Sequence, residues 1–270
     1  MRDVSNRKCM RIGLSSASFY PNIKTEESIS LMNKLGFDIG EIFLNSPSEY
    51  SEDFAYILKE ETNKYDFHIN SVHSFSSSFE PYLFDNYKRR RDDMFSYFKK
   101  VCKLARIVGA NCYTFHGMRL TSFKDIDKNL VVDIYNKLCY TALEEGIKLA
   151  QENVSWCMSS NLNFLEFLLE KCSSHIYFTF DIKQGYRANK KPKEYLNIMR
   201  ERMINFHIND KDENNQCLIP GRGKVDYKQI YKNLCEIQYK GPGIIEIYSE
   251  NYNNVIEIVN SKEFLKKIFV

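Results

Sequence analysis

Short apolar runs alternate with longer amphipathic stretches along the chain. The short runs predict β-strands at residues 10–15, 38–44, 68–73, 111–116, 147–152, 176–181, 203–208 and 243–248. The longer stretches, with apolar residues three and four positions apart, predict helices at residues 25–36, 51–64, 87–108, 126–145, 162–171, 193–200, 226–238 and 254–268. This order of strands and helices predicts an α/β fold, a parallel sheet closed into a single (β/α)8 TIM barrel.

A doubly wound open sheet is the main rival fold. Against it, no GxGxxG motif follows the first predicted strand, and the number of strand-helix units suits closure of the sheet. Barrels of this kind commonly occupy about 250 residues as one unit. No linker rich in Pro, Gly or Ser divides the 270 residues. We therefore expect one domain over residues 1–270, with residues 1–9 as an N-terminal tail.

Composition and charge argue against several classes of protein. With 38 basic and 35 acidic residues, the formal net charge of +3 is too balanced for a dedicated nucleic-acid or membrane binder. No apolar run reaches transmembrane length, and the N-terminal residues lack the apolar stretch of a secretory signal. The eight cysteines include no CxxC pair, which is typical of reduced thiols. We expect a cytoplasmic protein without nucleic-acid or membrane partners. A homo-oligomer is compatible with the sequence.

Six predicted strands end on side chains that can bind a metal ion: His73, His116, Glu152, Asp181, His207 and Glu246. In a parallel β/α barrel the carboxyl ends of all strands lie on one face, so these side chains can converge. Three carboxylates and a histidine suit Mn²⁺, Mg²⁺ or Co²⁺, and Zn²⁺ also fits. For each acid alone, pairing with a lysine or a helix N-terminus explains the position equally well. The recurrence favours one shared metal site.

Five motifs follow one another in the second half of the chain: ENV (152–154), FDIKQ (180–184), HIND (207–210), IPGRG (219–223) and IEIY (245–248). In order and spacing they resemble the sugar phosphate isomerase/epimerase group of xylose isomerase-like TIM barrels. That group also includes DNA repair enzymes of the endonuclease IV type. The resemblance covers nearly the whole chain, and it is more specific for the superfamily than for the reaction.

For the ketose 3-epimerase branch of that group, the resemblance implies both a metal site and a reaction. It implies one divalent metal ion held by Glu152, Asp181, His207 and Glu246. It also implies that the two glutamates are catalytic, because one removes the proton next to the substrate carbonyl and the other returns it on the opposite face. The metal would stabilise the enediolate between these steps. The resemblance therefore implies an enzyme of the isomerase class (EC 5), acting on a sugar, sugar phosphate or ketose.

Two segments depart from the pattern of the group. Many members carry a histidine three residues after the sixth-strand aspartate, where this chain has Gln184. The endonuclease IV type also has an Asp-x-His pair after the seventh strand, where this chain has residues 215–217, Asn-Gln-Cys. A three-zinc cluster and cleavage of abasic DNA are therefore not expected. Cys217 is either a soft zinc ligand or a buried thiol.

Six side chains are candidates for binding the substrate: His73, His116, Gln184, Lys183, Arg222 and Glu41. The two histidines are interpreted as pocket lining, although a second metal ion or hydrogen bonds within the barrel mouth also fit. Glu41 is expected at the rim, on the second strand. The loop at residues 220–223 either brings Arg222 or its backbone amides to a hydroxyl or phosphate, or is an ordinary tight turn.

Three other functions also fit the sequence. A dehydratase of an inositol-like ketone begins with a similar proton abstraction. A zinc-dependent phosphodiesterase related to the repair enzymes would keep the metal and change the reaction. A non-catalytic sugar-binding barrel is the third alternative, and the retention of all four predicted ligands argues against it.

Overall fold

The computed structural model describes residues 9–172 and 175–269, in which eight parallel strands form one closed barrel. The strands are β1 (Ile12–Ser15), β2 (Ile39–Leu44), β3 (His68–Ser74), β4 (Cys112–Phe115), β5 (Lys148–Glu152), β6 (Ile176–Asp181), β7 (Met203–Ile208) and β8 (Gly243–Ile245). They pair in sequence order, and β8 pairs with β1 to close the ring. The predicted TIM barrel is confirmed. Residues 1–8 of the predicted N-terminal tail lie outside the described residues.

Helices separate the strands along the chain. Among the described residues they are α1 (Thr25–Lys34), α2 (Glu52–Tyr65), α3 (Lys88–Val108), α4 (Lys128–Glu144), α5 (Leu162–Lys171), α6 (Ile182–Arg187), α7 (Pro192–Met199), α8 (Tyr227–Glu236) and α9 (Ile256–Lys266). Short 3-10 helices lie at Ser16–Phe19, Pro47–Tyr50, Ser76–Ser78, Glu80–Phe84, Met158–Ser160, Arg200–Arg202 and Ser249–Asn251. In the part of the chain that the structure describes, no helix has the length and apolar character needed to span a membrane.

The longest helix, α3, shows how the sequence pattern becomes packing. Its buried side chains include Phe95, Phe98, Val101 and Val108, whose spacing places them on one helical face. Gly109 ends the helix with a left-handed backbone (φ 79°), a conformation that glycine adopts without a steric penalty. The buried face agrees with the helix that the sequence predicts over residues 87–108.

The apolar core lies between the barrel and its helices. Phe180 of β6 and Phe206 of β7 stack with ring centroids 5.9 Å apart. Phe180 also packs against Tyr195 of α7, and Phe206 packs against Phe269 at the end of the chain. Because successive side chains on a strand point to opposite faces, the neighbours Asp181 and His207 face the barrel interior.

Two segments differ from their predicted secondary structure. Strand β8 ends at Ile245, so Glu246 follows the strand, although its backbone N–H still donates to Ile208 O at 3.0 Å. Helix α6 starts directly after β6 and was not predicted, because six residues are too short to show helical periodicity. Asp181 caps α6 by accepting a hydrogen bond from Gln184 N at 2.7 Å.

Beneath the carboxyl ends of the barrel strands lies a layer of buried polar side chains: Ser71, Thr114, Thr179 and Asn205. Each precedes a metal-capable residue by two positions, so both point into the barrel. The Asn205 amide donates to Ser71 Oγ and to Thr114 Oγ1, in each case at 3.2 Å. These hydrogen bonds satisfy polar groups that would otherwise destabilise a buried interior.

Candidate metal centre

The four predicted metal ligands meet at the carboxyl end of the barrel. Each of Glu152, Asp181, His207 and Glu246 offers one ligand atom, and these atoms lie within 4.8 Å of one another. His207 Nδ1 lies 3.6 Å from Glu152 Oε1, 3.8 Å from Asp181 Oδ2 and 3.6 Å from Glu246 Oε2. All four residues are buried. The sheet brings them together because β5 to β8 are neighbours in the barrel.

This donor set fits a divalent cation. His207 Nε2 donates to Glu41 Oε2 at 2.9 Å, so in the neutral ring Nδ1 carries the lone pair. Among the described residues, the buried His207 Nδ1 has no hydrogen-bond partner. A lone pair placed among three carboxylates is costly unless a proton or a metal ion lies between them. Imidazole and carboxylate ligands together suit the divalent ions that the sequence indicated.

Glu41 lies inside the barrel beneath His207, and its predicted position at the rim is wrong. In the sheet it pairs with Ser15 and Ser71, well before the end of β2, so its side chain belongs to the polar layer. Its carboxylate accepts hydrogen bonds from Ser71 Oγ at 2.7 Å and from Ser15 Oγ and Thr114 Oγ1 at 3.1 Å. Burial acts to raise the pKa of Glu41, but His207 outweighs it and the pKa is lowered. Glu41 therefore fixes the orientation of His207.

A buried lysine contacts the same carboxylates. Lys183 Nζ lies 2.9 Å from Glu246 Oε2 and 3.7 Å from Asp181 Oδ2, and it donates to Tyr248 Oη at 3.1 Å. Burial acts to lower the pKa of Lys183, but Glu246 and Asp181 outweigh it and hold the pKa well above its usual value. Burial acts to raise the pKa of Glu246, but Lys183 and His207 lower it to about 2. Lys183 and Glu246 therefore form a buried ion pair.

His73 and His116 form a second group of potential metal ligands with Glu152. Their Nε2 atoms are 2.8 Å apart, and they lie 3.5 Å (His73) and 2.9 Å (His116) from Glu152 Oε2. His73 Nδ1 donates to Ser74 O at 2.8 Å, which leaves the Nε2 lone pair facing the carboxylate when the ring is neutral. Burial acts to lower the pKa of His73, but Glu152 and Glu41 raise it to about 9. A proton or a metal ion shared by His73, His116 and Glu152 would stabilise this cluster.

Gln184 lies beside the centre and already has protein partners. Its side-chain oxygen accepts from the backbone N–H of Ser155 at 3.1 Å and from Ser155 Oγ at 2.8 Å. The side chain is largely buried. Gln184 therefore connects α6 to the segment that follows β5, next to Glu152.

The structure favours the tight-turn interpretation of the loop at residues 220–223. The backbone N–H groups of Gly221 and Gly223 donate to Asp210 Oδ2 at 2.9 and 3.0 Å, so a carboxylate within the protein takes them. Arg222 is about half exposed and forms an ion pair with Glu257 at 2.8 Å. The loop thus has an internal structural role, and Arg222 pairs with Glu257.

Cys217 lies in neither of the two ligand groups found among the described residues. Burial raises the pKa of its thiol to about 11, so the protonated form is favoured. A thiolate, which is the form that binds zinc, is therefore disfavoured. The position fits the buried-thiol alternative.

One buried carboxylate that organises the site was missed. Glu80, in a 3-10 helix after β3, accepts from the backbone N–H of His116 at 2.7 Å and of Gly117 at 2.9 Å. Its other oxygen accepts from Tyr113 Oη at 2.6 Å and Ser74 Oγ at 3.0 Å. No strand-end pattern marks a residue in such a loop. The polar layer, by contrast, was detectable, since its members precede predicted ligands by two positions.

Comparison with known proteins shows the family of the chain. A family model described as xylose isomerase-like TIM barrel matches residues 29–268. A search of curated proteins found no match.

Several solved structures share the fold. A 3-keto-D-glucoside 4-epimerase from E. coli is 17% identical, with a TM-score of 0.78 over 96% of this chain and 99% of that chain. A D-tagatose 3-epimerase-like protein is 21% identical, with a TM-score of 0.79 over 96% and 97%. The IOLI protein with a binding zinc atom is 16% identical, with a TM-score of 0.79 over 96% and 99%. Because the family model matches most of its length, the chain belongs to the xylose isomerase-like TIM barrel family.

Proposed function

We propose that the protein is a divalent-metal-dependent sugar isomerase or epimerase that moves a proton next to a carbonyl group. The observation that carries this proposal is His207 Nδ1, which in the described structure is buried among the carboxylates of Glu152, Asp181 and Glu246 and has no hydrogen-bond partner. The names of the similar structures, a 3-keto-D-glucoside 4-epimerase and a D-tagatose 3-epimerase-like protein among them, support the substrate class. The substrate is a sugar or ketose, with or without a phosphate group.

The centre contains two kinds of residue: those that would bind the cation, and those that orient these metal ligands. Glu152, Asp181, His207 and Glu246 would bind one divalent ion, Mn²⁺, Mg²⁺, Co²⁺ or Zn²⁺. Such an ion polarises a substrate carbonyl and offsets the negative charge that develops when the neighbouring carbon loses its proton. Glu41 acts through His207, because it holds the ring with Nδ1 towards the carboxylates.

Glu152 and Glu246 are the proposed catalytic residues. They come from the end of β5 and from just after β8, and His207 Nδ1 lies 3.6 Å from one oxygen of each. One carboxylate takes the proton from the carbon beside the carbonyl, as the C–H bond breaks and its electrons enter the enediolate. The other, in its carboxylic acid form, delivers a proton to the opposite face, which inverts that carbon. The two residues then return to their starting protonation states by exchanging protons with solvent. Two carboxylates that approach one substrate from different strands suit this reaction.

Four further side chains are proposed to contact the substrate: His73, His116, Lys183 and Gln184. His116 is 13% exposed and packs edge-on against Trp156 with ring centroids 5.5 Å apart. These two rings would form a wall of the substrate pocket next to Glu152. Lys183 and Gln184 lie on α6, on the Asp181 side of the centre.

Metal analysis and solvent-deuterium exchange test this function. The purified protein should bind one divalent ion per chain, and the metal-loaded enzyme should incorporate deuterium next to the carbonyl of candidate ketoses. The epimeric or isomeric product should carry the label, whereas a dehydratase would release a product lighter by one water. A protein that binds none of the four candidate ions, or that catalyses no exchange with any ketose, would exclude the proposal.

A second candidate, a two-metal phosphodiesterase, is favoured by one observation. His73, His116 and Glu152 form an additional ligand group that shares Glu152 with the first centre. Two ions bridged by a carboxylate can activate water for phosphoester cleavage. Two bound ions per chain, together with hydrolysis of bis(p-nitrophenyl) phosphate, would favour this function. One bound ion with ketose exchange favours the isomerase.

A further inference from the structure

Lys183 contacts the same carboxylate oxygens that face the metal-binding histidine. Glu246 Oε2 lies 2.9 Å from Lys183 Nζ and 3.6 Å from His207 Nδ1. Asp181 Oδ2 lies 3.7 Å from Lys183 Nζ and 3.8 Å from His207 Nδ1. A cation bound between these oxygens and His207 would therefore share both of them with the lysine ammonium.

We propose that Lys183 is a built-in counter-ion that competes with the divalent metal for Glu246 and Asp181. This inference rests on the proposed function only in requiring that the centre bind a divalent ion. Three buried carboxylates repel one another, and a positive charge among them lowers that repulsion. Lys183 supplies this charge in the metal-free protein. An incoming ion would replace the lysine charge at the same oxygens.

The surroundings of Lys183 provide a second partner when a metal takes Glu246. Lys183 Nζ donates to Tyr248 Oη at 3.1 Å and lies 4.5 Å from the centre of the Tyr248 ring. Both the hydroxyl and the ring face attract an ammonium group. Lys183 can therefore loosen its contact with Glu246 and keep its contacts with Tyr248. Without this partner, displacement would leave a buried charge unpaired, which is strongly destabilising.

The competition has two opposite consequences. The metal-free protein gains stability from Lys183, and the same charge reduces the net affinity for a divalent ion. Ligand binding stabilises a folded protein by an amount that grows with affinity, so the two consequences can be measured separately. A purely structural lysine would lower stability in both states when removed, without tightening metal binding.

The test compares Lys183→Met, which removes the charge and keeps the approximate length, with Lys183→Arg, which keeps the charge. Binding of Co²⁺ is measured by calorimetry and by fluorescence of Trp156, the single tryptophan, which lies next to His116. Lys183→Met should bind Co²⁺ about tenfold more tightly or better, since one like charge near the ion is gone. Its melting temperature should fall in the presence of chelator and recover when Co²⁺ is bound. Lys183→Arg should resemble the wild type in both measurements.

Each outcome decides the inference. If the wild type binds Co²⁺ and Lys183→Met binds it equally or more weakly, Lys183 is not a competitor and the metal centre still stands. If neither protein binds a divalent ion, the proposed function fails as well. Tight binding by Lys183→Met alone supports the inference most strongly.

Tyr248→Phe gives an independent test should Lys183→Met fail to fold. It removes only the hydroxyl that would receive the displaced ammonium. Binding of Co²⁺ should then weaken several-fold, because Lys183 leaves Glu246 less readily. Unchanged or tighter binding by Tyr248→Phe would contradict the inference.

Discussion

The two glutamates proposed to move protons have different neighbours. Glu152 faces imidazole rings, with Nε2 of His116 and His73 at 2.9 and 3.5 Å from its carboxylate. Glu246 faces the ammonium group of Lys183 at 2.9 Å. An imidazole can gain or lose a proton near neutral pH, whereas an ammonium group normally keeps its charge. We expect protons to pass between Glu152 and its imidazole neighbours, whereas Glu246 acts beside the fixed positive charge of Lys183.

The loops that support the two sides are also organised differently. On the Glu152 side, Glu80 binds both side chains and backbone N–H groups, and it fixes the backbone of His116 directly. In the loop that follows β7, Asp210 accepts from backbone N–H groups, including those of Gly221, Gly223 and Val225. A fault in the first loop should therefore reach the catalytic face, whereas a fault in the second should mainly loosen its own loop.

The largest expected effect comes from removing either proposed catalytic carboxylate. Glu152→Gln and Glu246→Gln should each lower turnover by about a thousandfold, in the range typical of lost acid–base catalysis. The two variants should differ in a deuterium-exchange assay. Each should retain residual exchange only with the substrate epimer whose proton faces the remaining carboxylate.

The exposed Glu60→Gln is the control for that comparison, and it should leave turnover unchanged. Equal residual exchange from both epimers in both variants would mean that the two glutamates do not act on opposite faces. Full activity in either variant would remove that glutamate from the mechanism.

The second prediction compares the two supporting carboxylates. Glu80→Gln should lower the free energy of unfolding by about 3 kcal/mol, because one amide cannot replace a carboxylate that accepts four hydrogen bonds. Asp210→Asn should cost about 2 kcal/mol for the same reason. Urea unfolding measures both losses. Only Glu80→Gln should also lower kcat of the folded enzyme, and an equal loss of kcat in Asp210→Asn would contradict the assigned difference.

The third prediction concerns Glu41, which lies below both sides. Glu41→Gln should weaken metal binding by about 10- to 100-fold, since an outer carboxylate orients the histidine ligand. Calorimetric titration with Mn²⁺ or Co²⁺ measures the change. A variant with unchanged metal affinity and a raised KM for the ketose would instead restore Glu41 to the substrate site.

The smallest expected effect is at Arg222. In its ion pair with Glu257, Arg222 is about half exposed and the Glu257 side chain is 16% exposed, so Arg222→Ala should lower the free energy of unfolding by less than about 1 kcal/mol. The KM for the substrate should also stay the same, because the loop amides bind Asp210. A large rise in KM for a phosphorylated substrate alone would show that Arg222 binds phosphate after all.

The sequence predicts those site residues that lie on a strand, where side chains alternate between the two faces with a period of two. Glu152 and Asp181 end apolar strands, and the barrel brings such ends together whatever their distance in sequence. The sequence prediction placed Glu41 at the rim of the barrel. Its pairing with Ser15 and Ser71 instead sets its side chain lower, inside the barrel. Glu80 was missed because its role comes from a loop conformation that has no periodic signature.

The partners of Lys183 were likewise beyond the sequence. Its position two residues after Asp181 was recognised as part of a motif, and the motif led to a substrate-binding prediction. Its ion pair with Glu246 spans 63 residues and depends on the short helix α6, which was not predicted. Such contacts follow from tertiary packing and not from local pattern.

The cap of α6 ties the metal centre to the stability of a helix. Asp181 accepts the Gln184 N–H with Oδ1, while Oδ2 faces His207. Any force that reorients this carboxylate also acts on the first turn of α6, which carries Lys183. Amide hydrogen exchange in α6 should therefore slow when a divalent ion holds Asp181 in place, so the backbone of this helix can report occupancy of the centre without any substrate.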